Sequence, residues 1–135
     1  MRDKLYLLVA LVMVTSLLLA ACGGGGEQAS TGGCDLAEAE ELFKQTVIGS
    51  QPGCGTCHSL EEGVVLVGPS LAGIGTRAAT TVEGQSAAEY IETSIVNPDA
   101  YLAEGFAAGT MPSVWADELS DEQIKCLVSY LETLK

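Results

Sequence analysis

Positive charge is scarce in this chain of 135 residues: six Lys and Arg stand against 18 Asp and Glu, a formal net charge of −12. Without clustered cations to neutralise phosphates, nucleic acid is excluded as a partner. The balance favours instead a partner with a basic docking surface and salt-sensitive association, or simply a soluble surface. Histidine occurs once, at His58. A single imidazole excludes a bis-His metal centre within one chain. With no second C-x-x-C run it also leaves a four-ligand zinc site incomplete. Few side chains remain to act as general base or nucleophile, so an enzyme is not expected. No stretch alternates apolar and polar residues strongly enough to announce a sheet.

What is present centres on Cys54-Gly55-Thr56-Cys57-His58. C-x-x-C-H is the attachment run of covalent haem c: two thiolates add across the vinyl groups and the adjacent imidazole binds iron. Cysteines three apart lie on one face of a helical turn, and the small Gly55 and Thr56 let the backbone approach the porphyrin edge. A thioredoxin-like pair competes for the same motif but belongs after a strand in an α/β pattern, which is lacking. One motif implies one haem.

The amino terminus reads as an export signal over residues 1–21: Arg2 and Lys4, an apolar run from Leu5 to Ala20, then Leu19-Ala20-Ala21-Cys22. That ending resembles the lipobox of bacterial lipoproteins, which implies a lipidated Cys22; an uncleaved membrane anchor is the alternative. Either way the remainder is expected on the extracytoplasmic face of a bacterial cell membrane, and cleavage removes Arg2 and Lys4 against Asp3. Residues 22–33 are the lipidated Cys and a Gly-rich linker; the run from Gly23 to Gly33 averages about 20 Å and extends to about 40 Å. Residues 34–135 form one domain. Of five cysteines, Cys22 goes to lipid and Cys54 and Cys57 to haem. Cys34 and Cys126 remain, expected as a disulfide in an oxidising compartment, with two buried thiols as the alternative.

Three helix signatures follow. The first starts at Asp35 with Glu38 three residues on, and its apolar face is Leu36, Ala39, Leu42 and Phe43. The second starts at Ser86 with Glu89, carries Ile91 and Ile95, and stops before Asn97-Pro98. The third starts at Ser120 with Gln123 and buries Ile124, Leu127, Val128, Leu131 and Leu134. The intervening Gly- and Pro-rich stretches suit loops around a cofactor. The fold class is all-α.

Haem iron usually takes a second axial ligand. Met1 and Met13 leave with the signal, so Met111, in Gly109-Thr110-Met111-Pro112, is the candidate. An isolated Met is otherwise a core filler. His/Met ligation raises the reduction potential and suits an electron carrier.

With these residues assembled, 34–135 resembles the class I monohaem cytochromes c. Ala39 and Phe43 match the family's first helix, where Gly is more usual than Ala39, a change expected to loosen the helix crossing. Leu127 and Tyr130 match its terminal helix. The resemblance implies a cytochrome c class I fold of about three to five helices around one covalent haem. It also implies that the Pro69 carbonyl accepts from the proximal imidazole and that Arg77 sits near a haem propionate. Tyr101 and Trp115 are candidates to pack on the haem, with an ordinary core role equally open. The function expected is one-electron transfer, as a subunit of a quinol-oxidising respiratory or photosynthetic membrane complex. The layout is similar to the small lipoprotein cytochrome c of alternative complex III. An independent tethered shuttle is one alternative. A haem sensor or peroxidase-like enzyme with a labile Met111 is another.

Overall fold

The structure, a computed structural model, describes residues 34–135. The export signal, Cys22 and the Gly-rich linker lie outside the described residues. Helix α1 (Leu36–Lys44) begins where Asp35 Oδ1 accepts the backbone N–H of Ala37 at 2.8 Å. That bond satisfies a donor the first turn leaves free. Ala39, Leu42 and Phe43 are buried, but Leu36 is 45% exposed. As the first helical residue, Leu36 tilts its side chain back past the helix start, off the packed face. Two-residue strands β1 (Val47–Ile48) and β2 (Gln51–Pro52) then pair antiparallel, Val47 opposite Pro52 and Ile48 opposite Gln51. The sequence carries no signal for this ladder, since two residues cannot display a period. Its turn uses Gly49 at φ 57° and is held by Ser50 Oγ donating to Glu118 at 2.6 Å.

The haem-motif turn is α2 (Cys54–Cys57). Helices α3 (Ile74–Thr81), α4 (Ala87–Val96), α5 (Trp115–Glu118) and α6 (Asp121–Glu132) complete the order. Ser86 and Ser120 form full capping boxes with Glu89 and Gln123. Apart from the small ladder, the described residues are helical or loop, as an all-α reading requires.

The core is built where α1 crosses α6. Phe43 and Tyr130 meet with ring centroids 5.9 Å apart and planes tilted by 52°, beside Ala39 at 2% exposure and Leu127 at 1%. Ala39 is thus fully packed into the crossing. Ile91 and Ile95 bury one face of α4, which packs on α3 and α6. Helix α3 lies against the end of α6: Gly75 N–H donates to the Leu134 carbonyl at 2.9 Å, and a Cβ on Gly75 would collide with the Glu132 carbonyl. A disulfide joins Cys34, just before α1, to Cys126 within α6, with Cα atoms 5.1 Å apart across 92 residues of sequence.

Candidate haem-binding site

These elements enclose a cavity of about 540 Å³, walled by side chains from every helix, a size within the range of small-molecule and cofactor sites. Cys54, Cys57 and His58 line it from α2 and its end; Met111 lines it from the long loop between α4 and α5. His58 Nδ1–H donates to the Pro69 carbonyl at 2.8 Å. That bond fixes the tautomer: Nδ1 carries the proton and Nε2 keeps its lone pair, the state a metal-ligating imidazole needs. Gly68 holds the ring from the side. A Cβ there would stand 2.5 Å from His58 Cε1 and 2.9 Å from Nδ1. Gly68 N–H also donates to the Cys57 carbonyl at 2.9 Å, tying the proline segment to the haem motif.

Burial pushes the Cys54 thiol above its ordinary range, with Cys57 adding to the rise. A raised thiol is protonated at neutral pH and is not the activated thiolate of a thioredoxin-like centre. Among the described residues no three His, Cys, Asp or Glu side chains converge as ligands for a bare metal ion.

Arg77 lines the cavity from α3. Its guanidinium donates to the carbonyls of Ala72 and Ser70, the latter at 2.6 Å. Five donors and two backbone acceptors leave N–H groups over for an anion. Trp115 is 4% exposed and lines the same cavity, and its indole N–H meets no acceptor among the described residues. A buried donor left so costs about 1–3 kcal/mol unless a ligand supplies the acceptor. Tyr101 also lines the cavity, its hydroxyl 3.1 Å from Gln85 Nε2 and its ring 6.1 Å from Tyr90. An apolar cavity with two thiols, an oriented imidazole, a thioether, an arginine and an orphan indole N–H fits a haem with anionic propionates. Bound there, haem c supplies reversible one-electron chemistry.

Two further contributors have roles that only the geometry displays. Gly68 matters because its missing side chain leaves room for the imidazole. Asp99 Oδ1 accepts the backbone N–H of Gly109 at 2.8 Å, bracing the Met111 loop across ten residues without regular structure.

The family model for cytochrome c matches residues 36–135. Cytochrome c2 iso-2 of Magnetospirillum molischianum is 33% identical over 88 residues, which cover 61% of this chain and 91% of that protein. No solved structure matches the chain. The match runs through both ends of the α1–α6 crossing and all of the cavity wall: this chain belongs to the cytochrome c family, electron carriers and not enzymes, which hold haem c covalently.

Proposed function

We propose that this cytochrome is a lipid-anchored electron-transfer subunit of a quinol-oxidising membrane complex, facing the extracytoplasmic side. In this reading Cys54 and Cys57 carry the thioether links. His58 Nε2 and Met111 sulfur are the axial ligands, and Pro69 sets the imidazole's orientation and basicity. Arg77 faces a propionate, and Cys22 bears the lipid. The observation that carries the electron-transfer part is the His58–Pro69 hydrogen bond at 2.8 Å: it leaves the lone pair free in a cavity that Met111 shares. The membrane part rests on the export signal, the Leu19-Ala20-Ala21-Cys22 ending and a linker whose reach is about 40 Å. Such a tether keeps the domain within one protein's width of the bilayer.

Two measurements test this. The ferric protein should show the far-red sulfur-to-iron band, and the reduced protein should not bind carbon monoxide; avid carbon monoxide binding would mean a labile Met111 and a sensor or peroxidase role. Haem-stained native electrophoresis of mildly solubilised source membranes, with mass spectrometry, should find the chain in a large assembly that survives a high-salt wash. Migration alone, at the size of a single small domain, would make it an independent shuttle.

A further inference from the structure

Pro69 supplies the acceptor that orients His58, yet proline itself does not decide where its carbonyl points. The ring fixes φ and removes the N–H, so ψ is the soft dihedral that remains. Turning ψ swings the whole planar peptide that Pro69 shares with Ser70. Whatever holds Ser70 therefore aims the carbonyl that His58 Nδ1–H meets at 2.8 Å.

Ser70 is held in three ways. Its Oγ donates to the Glu61 carbonyl at 2.7 Å and accepts the Ala72 N–H at 3.2 Å, so the hydroxyl works as donor and acceptor at once. Its own carbonyl accepts from Arg77 Nη2 at 2.6 Å. The anchor is itself fastened: Glu61 N–H donates to Ser59 Oγ at 2.9 Å, and the Glu61 carbonyl also accepts the Val64 N–H at 3.2 Å. Backbone bonds from Gly68 N–H to Cys57 and from Leu71 N–H to Ser59, at 2.9 and 2.8 Å, pin the two ends of the segment. The peptide planes between those ends can still tilt, and the Ser70 side chain closes that freedom.

None of this involves touching the cofactor. Pro69 and Leu71 line the large cavity, and Ser70 between them does not. Ser70 lines instead a smaller polar pocket with Glu62, Arg77 and Lys135. We infer that Ser70 is a positioning residue for the electron-transfer centre: its hydroxyl sets the tilt of the Pro69–Ser70 peptide, and through it the strength of the His58–Pro69 hydrogen bond. This rests on the reading of His58 as an axial ligand and adds what tunes that ligand. The bond from Nδ1–H raises the basicity of Nε2, and a more basic ligand favours ferric iron. A slackened bond therefore raises the reduction potential.

The test compares Ser70→Ala with Ser70→Thr, which keeps the hydroxyl, in the full-length holoprotein. Proton NMR of the reduced protein follows exchange of the His58 Nδ1–H with deuterium, and an equilibrium redox titration gives the potential. Ser70→Ala should speed that exchange about tenfold, the size of one lost hydrogen bond, and raise the potential while the far-red band stays. Ser70→Thr should match wild type in both. Wild-type exchange and potential in Ser70→Ala overturn the inference even where the urea midpoint falls, because the hydroxyl would then only stabilise the loop. It is equally overturned if Ser70→Thr departs as far as Ser70→Ala, which would make side-chain shape the agent. If the reduced wild-type holoprotein shows no imidazole resonance shifted by the haem ring, the reading of His58 as a ligand fails, and this one with it.

Discussion

At the scale of single residues, the site depends on how His58 is held. Gly68→Ala would place a methyl 2.5 Å from the imidazole, and overpacking of that kind costs about 1–3 kcal/mol. The expected result is a lower denaturant midpoint together with a shifted reduction potential, because the ring must leave the Pro69 carbonyl. A shifted midpoint at an unchanged potential would mean that the ring keeps its orientation. Asp99→Ala frees the Gly109 N–H and loosens the Met111 loop, for about 1 kcal/mol of lost hydrogen bonding. The far-red band should then disappear at lower pH than in wild type while global unfolding barely moves; identical titrations would remove Asp99 from any role in positioning Met111. Cys54, Cys57 and His58 stand out in the sequence because the chemistry demands contiguity, and Met111 because it is the one methionine in residues 34–135; all four line the cavity. Pro69 and Arg77 needed a family pattern to interpret them. Gly68 falls in the run Gly68-Pro69-Ser70-Leu71 that resembles the family's segment after the haem motif, but its role there, room made by a missing side chain, acts through space; Asp99 acts across an irregular loop, and no local pattern marks it.

At the scale of elements, legibility followed hydrogen bonds that close within one turn. Asp35, Ser86 and Ser120 start helices where their side chains cap the backbone. Helix α3 has no such marker: its cap is Gly73 at φ 67°, with no side-chain bond, and Gly and β-branched residues give Ile74–Thr81 a poor intrinsic propensity. It forms because Gly75 and Ala78 fit closely into the core, information held in α6 and not in its own residues. The capping box of α4 gives a pH prediction. Bonds from the Ser86 N–H and hydroxyl hold Glu89 below its ordinary 4.5. A folded pKa below the unfolded one means a contribution present above the ordinary value and lost as pH falls through the folded one. Urea midpoints of wild type and Glu89→Gln should therefore differ near neutral pH and converge in acid. A gap that persists in acid would mean that the ionised carboxylate is not its source.

At the scale of the whole molecule, the link that most constrains the chain is Cys34–Cys126, 92 residues apart. Closing so long a loop limits the unfolded ensemble by about 4–5 kcal/mol in the chain-entropy account. Cys34→Ser/Cys126→Ser should lower the guanidinium midpoint strongly while the native far-red band stays intact; loss of the band as well would show that the bridge shapes the cavity. The same bridge has a mechanical side. A pull arriving along the chain from the Gly-rich segment enters the domain at Cys34 and passes through a covalent bond directly into the middle of α6. Helix α1, which would otherwise be peeled turn by turn from its end, lies outside the line of force, and so does the haem-motif turn beyond it. A load applied at the start of the domain thus reaches α6 beside Leu127, a wall of the cofactor cavity, without first unwinding α1.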